Sequence, residues 1–170
     1  MKLNEIIQFD KGLSIPRDRT SINFDIPYLH YGDIYKLYNN RIDMDLVHNN
    51  IIKIRSNEKI KTSQQLNNGD IVMNLTSENY EDLGKSVIIF NKNNLPFVAG
   101  METYRFRVIN DLILPEYLLY FFQSRNFGMQ LSQLVTGMKV YRANPKHFDF
   151  IKVPTMSIST QQHIVDIIQN

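Results

Sequence analysis

Apolar and polar residues alternate with a period of two along Thr103–Ile109, and the apolar spacing becomes helical beyond Pro115. In Leu66–Thr76, "LNNGDIVMNLT", an Asn68-Gly69 turn feeds a strand from Asp70 to Leu75. Ser86–Phe90 has the β-branched and aromatic content of a second strand, and Asn91–Pro96 forms a turn. Further strands are expected at Phe97–Ala99 and Thr103–Ile109. In the latter, Tyr104, Phe106 and Val108 alternate with Arg105 and Arg107, which predicts arginines on an outward face. Residues 77–84, "SENYEDLG", are polar and end in glycine, so they form a loop. Nearer the start, Lys2–Ile7 suits a short helix and Gly12–Pro16 a turn or short strand. Ile26–Tyr35, "IPYLHYGDIY", is an extended aromatic run closing in a Gly-Asp turn. Gly-Asp-Ile recurs at 69–71 with unlike flanks, so the two occurrences are separate turns rather than a repeat.

The helical pattern starts at Pro115, a good first helical residue, with Leu118, Phe121 and Phe122 following at helical spacing. Ser124 caps a second helix whose stripe is Phe127, Leu131, Leu134 and Val135, with Gly137 as its left-handed end. Asn144–Phe148 starts a short helical turn and Phe150–Val153 a strand. Ser159 and Gln162 form the capping box of a last helix carrying Ile164, Val165 and Ile168. That helix is short for independent stability, since isolated helices need roughly 12–15 residues. It either packs on the domain or begins something longer. The pattern predicts an α+β domain: a twisted mixed β-sheet packed on helices at 115–135, with a C-terminal helix leading away.

Composition narrows the chemistry. The 170 residues suffice for one domain and include no cysteine, which removes disulfides, thiolate nucleophiles and Cys-based zinc sites. No apolar run approaches the roughly 20 residues of a membrane span. Met1–Asp10 lacks the signal-peptide pattern, so a cytoplasmic location and no membrane partner are expected. The overall charge of +2 hides a gradient. Residues 85–146 hold eight Lys/Arg against three Asp/Glu, a net of +5, whereas residues 1–84 hold ten against twelve. A basic segment fits a polyanion partner, and it equally fits cations scattered over a solvated surface.

Enzyme signatures are missing. The seven glycines are isolated, so there is no Gly-rich loop for S-adenosylmethionine; GxxxxGK[ST] and GxSxG are absent too. Asn144-Pro145 runs into Lys146 and His147 and so lacks the apolar clamp for a flipped base. The four histidines have no partner at ligand spacing; His30 suits a hydrogen-bonded core position and His163 an exposed one. The best catalytic candidate is a metal nuclease built on Asp70 and Glu78 with Lys85; the alternative for these residues is turn and loop chemistry. No cofactor is expected. A protein-interaction module without nucleic acid is the third reading.

"GMKVYRANPKHF" (Gly137–Phe148) gathers a turn glycine, the cations Lys139, Arg142 and Lys146, and the stacking face of Tyr141. Cations suit phosphate, and a bidentate Arg can read guanine. The competing reading is a hairpin or helix exit with Met138 and Val140 in the core.

In order along nearly the whole chain, "IPYLHYGDIY", "LNNGDIVMNLT", "DLGKSVII", "FVAGMETYRFRV", "PEYLLYFFQS" and "LVTGMKVYRANPKHFDFIKVPTMSISTQQHIVDII" resemble the target recognition domain of the specificity subunit of type I restriction–modification systems. A full specificity subunit usually has two such domains and two long helices; this chain holds one domain and the first turns of one helix. The resemblance implies a non-catalytic, sequence-specific reader of double-stranded DNA, serving one half of a split target. A methyltransferase subunit and a restriction subunit would be its partners, and its C-terminal helix would begin the conserved spacer, or coiled-coil, region. It also implies a recognition domain at 1–156 and the conserved helix at 157–170, as a half-subunit or fragment able to homodimerise through that helix. The DNA face is expected where the 136–146 segment meets the 74–85 loop. Lys139, Arg142, Lys146 and Lys85 would hold phosphates or guanine edges. Tyr141, Thr76, Ser77 and Asn79 would read bases, with Tyr104, Arg105 and Arg107 as lesser candidates. Gln161, Gln162 and Ile164 would begin partner docking.

Overall fold

The computed structural model describes residues 1–36 and 38–170. Along the chain come β1 (Ile7–Lys11), β2 (Ile26–Leu29), α1 (Tyr31–Lys36), β3 (Arg41–Asp43), α2 (Met44–Val47) and β4 (Lys53–Ile54). Next are β5 (Ile71–Asn74), β6 (Thr76–Ser77), β7 (Ser86–Phe90), β8 (Val98–Ala99) and β9 (Thr103–Val108). The last third carries α3 (Pro115–Phe122), α4 (Arg125–Ser132), β10 (Val135–Thr136), β11 (Tyr141–Ala143) and α5 (Ile158–Gln169). The main sheet has the order β1-β9-β5-β7-β3; its first three pairings are antiparallel and β7 with β3 is parallel, so the expected mixed sheet is present. A second sheet, β10-β11-β6, is antiparallel, and a third, β4-β2-β8, is mixed.

The central strands are buried on both faces, which is why β5 reads Ile-Val-Met rather than alternating apolar with polar. Ile71, Met73, Ile88 and Phe106 pack with Leu118, Phe122, Phe127 and Phe148 of the helical layer. Val72, Val87 and Ile89 point the other way, to Leu29, Ile34, Ile42 and Phe97. The helices at 115–135 thus cover one face of the sheet, as the periodicity predicts.

The outward face expected for Arg105 and Arg107 is not outward. It turns toward the second layer, where Arg105 is 1% exposed. Its Nε donates to Ser63 O at 2.8 Å and its Nη2 to Asp10 Oδ2. Asp70, also 1% exposed, takes a bidentate pair from Arg107, with Nε to Oδ1 and Nη2 to Oδ2 both 2.7 Å. Asp70 Oδ2 accepts from Asn67 N at 2.7 Å as well, closing the turn in which Gly69 has φ +85°. The hydrogen bond to Asp70 holds the Arg107 guanidinium above its already high pKa. A half-buried strand pattern cannot distinguish a solvated arginine from one neutralised by carboxylates that arrive from other strands.

Local elements also depart from expectation. Gly32-Asp33 is not a turn but the first turn of α1. α4 is capped by Ser124, whose Oγ accepts from Phe127 N at 3.2 Å, but it stops at Ser132, before Gly137, because Val135 is drawn into a ladder with Ala143. Phe150–Val153 forms no strand: Phe150 closes a 3-10 helix, Pro145–Phe150, and only Lys152 makes a bridge, to Lys2. The cap of α5 is Ser157, two residues ahead of the expected Ser159, with Oγ accepting from Thr160 N at 3.2 Å. The start of α5 does not lead away but docks on the N-terminus of α3: Gln161, 0% exposed, accepts from Leu114 N at 2.9 Å and donates to Leu112 O at 2.7 Å. Among the described residues no helix is long and apolar enough to cross a membrane.

His30 is buried at the end of β2, as expected, with Nδ1 accepting from Gly32 N at 3.2 Å and lying 3.1 Å from Arg17 Nη2. Burial first, and then the Arg17 charge, lowers its pKa. The unfolded chain takes up this proton near pH 6.5 and the native chain only at lower pH. Stability should therefore fall as pH drops from about 6.5 to the native pKa, then level off. Urea midpoints between pH 7.5 and 5 check this, and His30→Gln should flatten that limb. Asp70→Ala should cost about 1.5–3 kcal/mol, because it removes the charge-assisted hydrogen bonds to half-buried Arg107 while Arg105 keeps Asp10; chemical denaturation measures the loss.

Candidate nucleic-acid interface

Two segments far apart in sequence meet in the small sheet. β11 pairs with β6 so that Tyr141 lies opposite Ser77 and Arg142 opposite Thr76; on its other side β11 pairs with β10. Ala143 N donates to Leu75 O at 3.0 Å, extending the ladder back into the core. The 136–146 segment and the 74–85 loop thus form one surface.

The segment following β10 is a hairpin, not the exit of a helix. Gly137 turns it at φ +102°, and a Cβ there would lie 2.0 Å from Val140 O. Met138 is 94% exposed rather than in the core, and Val140 is half-buried. Lys139, Arg142 and Lys146 are all exposed. Asn144 then caps the following 3-10 helix, its Oδ1 accepting from Lys146 N at 3.0 Å, which fixes where Lys146 leaves the backbone.

The facing loop is closed by Asn74, which is 0% exposed. Its backbone exchanges hydrogen bonds with Lys85 and Gly84, and its Oδ1 accepts from Thr76 N at 3.3 Å. Gly84, at φ +83°, lies flat on α4, where a Cβ would sit 2.9 Å from Leu131 Cδ2. Within the loop, Ser77 Oγ accepts from Asn79 N at 3.1 Å and Asn79 Oδ1 from Glu81 N at 3.2 Å. Both side chains therefore do turn chemistry as well as facing the site. Lys85 is tied to Asp82 at 2.6 Å.

Between this loop and α1 lies a cleft of about 470 Å³ lined by Thr76, Ser77, Asn79, Val140, Tyr31 and Lys36 with Glu78, Asp82 and Glu102. Cations are concentrated on the hairpin, whereas the cleft carries three carboxylates and one cation, Lys36. The hairpin suits phosphates, and the carboxylates of the cleft suit groups that donate hydrogen bonds.

The structure adds Tyr80, whose ring stands edge-on to Tyr141 at 5.3 Å and 87°. Nothing in "SENYEDLG" marks it, because the contact exists only through the β6–β11 pairing. Glu102 and Tyr31 enter the cleft likewise, from a turn and from the start of α1, which sequence spacing does not link to it. Tyr104, Arg105 and Arg107 lie apart from this surface: Tyr104 packs edge-on to Phe9 at 6.4 Å, and both arginines are held by Asp10 and Asp70. The nuclease constellation does not assemble. Both oxygens of Asp70 are occupied at the start of β5, whereas Glu78 lines the cleft past its end. Among the described residues no three His, Asp or Glu side chains are grouped to hold a metal. At the C-terminus Gln161 is sealed inside and so is not available to a partner. Gln162 is exposed, with Nε2 donating to Asp166 at 2.7 Å, and Ile164 packs partly on the main core. His163 is exposed.

A mixed sheet covered by helices thus carries a pinned loop and a cationic hairpin on one small sheet. The chain belongs to the type I restriction modification DNA specificity domain family, whose model matches residues 1–170. It is 27% identical over 108 residues to the type I restriction enzyme StySPI specificity subunit of Salmonella potsdam, covering 63% of this chain and 22% of that protein. In fold it is similar to a subunit from a structure describing complex assembly and conformational transition of the type I R-M system, with a TM-score of 0.66, 16% identity, and 99% of this chain over 37% of that one. The HsdS subunit from Thermoanaerobacter tengcongensis matches with a TM-score of 0.60 and 17% identity, over 99% of this chain and 35% of that one. The chain thus spans between about a fifth and two fifths of the length of these relatives.

Gly137→Ala would force a Cβ against Val140 O in a left-handed turn, so the hairpin should loosen while the core stays folded. Faster tryptic cleavage after Lys139 and Arg142, with the thermal midpoint little changed, is the expected outcome.

Proposed function

We propose that the chain is a non-catalytic, sequence-specific reader of double-stranded DNA, one target recognition domain that directs partner subunits to half of a split site. The observation that carries this is the β6–β11 ladder, which sets the cations of one segment beside the polar loop of another. Lys139, Arg142 and Lys146 hold phosphates or a guanine edge, and Lys85, shared with Asp82, is a weaker phosphate contact. Tyr141, braced by Tyr80, together with Thr76, Ser77 and Asn79 faces the base edges. Membership of the DNA specificity domain family supports the same reading.

In this proposal residues 1–156 form the reader, and 157–170 open the helix that meets a methyltransferase subunit and, in the full assembly, a restriction subunit. The protein would work where its DNA is, in the cytoplasm. Ile167 and Ile168, 63% and 52% exposed near the end of α5, give that helix an uncovered apolar face for a partner or a second copy of the chain. Gln162 and Ile164 lie on the same helix; Gln161 contributes by fixing its start.

Lys146→Ala should weaken binding to cognate and random duplexes alike and reduce the salt slope by about 0.9. Tyr141→Ala and Arg142→Ala should instead narrow the gap between cognate and random DNA by about 1–3 kcal/mol. Fluorescence anisotropy across a salt series separates the two patterns, and equal losses on both duplexes for all three variants would remove the specificity claim.

A further inference from the structure

Among the described residues, three that are not glycine have a left-handed backbone: Asn40, Asn94 and Glu102. Asparagine tolerates that region because its short polar side chain can bond locally; glutamate has no such reason to be there. Glu102, at φ +61°, sits in the turn between β8 and β9, where glycine would relieve the conformation.

The turn is held rigidly from several sides. Met101 N donates to Tyr28 Oη at 2.7 Å, Thr103 N donates to Gly100 O at 3.3 Å and Gly12 N donates to Thr103 O at 2.9 Å. A Cβ on Gly12 would lie 2.0 Å from Gly100 O, and one on Gly100 would lie 2.1 Å from Leu29 O, so three backbone segments touch with no side chain between them. Unfavourable backbone persists where its surroundings over-determine it, and such places concentrate at ligand-contacting sites.

The ladder then decides where the residue lies. Thr103 pairs with Asn74, so the residue before Thr103 falls beside the chain leaving Asn74 toward Thr76 and Ser77. Glu102 accordingly lines the cleft with Thr76, Ser77 and Val140. Among the described residues no hydrogen bond or ion pair engages its carboxylate, whereas Asp82 in the same cleft is taken by Lys85.

We infer that Glu102 is a specificity-determining residue whose carboxylate accepts a hydrogen bond from the exocyclic amino group of a base, cytosine N4 or adenine N6, in the duplex held by the hairpin. This rests on the DNA-reading proposal and deepens it. A carboxylate accepts and never donates, so the amino edge of cytosine or adenine satisfies it, while the O6 of guanine or the O4 of thymine repels it. It also repels every phosphate, so it lowers affinity for wrong sequences as well as selecting the right one. Its role thus has two signs, which a merely structural glutamate would not show.

The test uses the full 170-residue chain. Wild type, Glu102→Gly and Glu102→Gln are each used to select from a pool of randomised duplexes. Affinities are then measured on a defined duplex carrying the wild-type motif and on a scrambled one, with thermal midpoints alongside. Glu102→Gly should melt no lower than wild type, because its backbone strain is relieved. Its affinity for the scrambled duplex should rise, while preference for a cytosine or adenine at one motif position falls about 5- to 100-fold. Glu102→Gln, which keeps the size but can donate as well as accept, should relax the same position and guards against a folding artefact in the glycine variant. A wild type that enriches a motif which both variants retain in full would overturn this inference and leave the DNA-reading proposal standing. A wild type that enriches no motif would overturn both.

Discussion

A carboxylate sealed inside a sheet has to be matched by cations, and Asp70 is matched by two guanidinium groups. Arg107 grips it bidentately, and Arg105 stands 3.9 Å away while it is itself held by Asp10. The arrangement ties the turn that starts β5 to the middle of β9. It is therefore a constraint on register: a one-residue slip would separate the charges and turn Ile71 and Met73 to the wrong face. Everything downstream inherits that register. With Asp70 locked to Arg107 at one end of the ladder, the other end sets Asn74 against Thr103. The 74–85 loop leaves from the first of these strands, and the Glu102 turn enters the second.

The proposed reading surface is thus built on loops while the sheet supplies its precision. Asn74 closes the loop at its base, Gly84 lays its return on α4, and Gly137 folds the hairpin back so that β11 can add to β6. Each device shortens what would otherwise be a mobile excursion. Three cations end up on the hairpin side of the groove, and three carboxylates with Lys36 line the cleft. A charged ligand with distinct backbone and edge chemistry fits that division.

Sequence patterning made much of this legible. Period two located β9, turn signals and β-branched content located β5 and β7, the helical period located α3 and α4, and the glycines at 69, 84 and 137 marked turns that do need a left-handed backbone. The cap was legible at Ser124, where a single side chain makes it. It was misplaced where two serines compete, as at Ser157 and Ser159, because the choice depends on where Gln161 must enter the core. The end of α4 was likewise missed, since its apolar stripe continues smoothly to Val135 and only the partner strand stops it.

By itself the sequence determined the class of fold and the two segments that carry the candidate chemistry, because periodicity, glycine placement and residue type are local properties of the chain. Only tertiary structure decided that Arg105 and Arg107 are structural, that Gln161 is interior, and that Tyr80 and Glu102 face the cleft. Those outcomes depend on pairing between residues such as Asp70 and Arg107, or Ser77 and Tyr141. Whether a charge is solvated or neutralised, and whether a loop faces another, is settled by which distant strand arrives beside it.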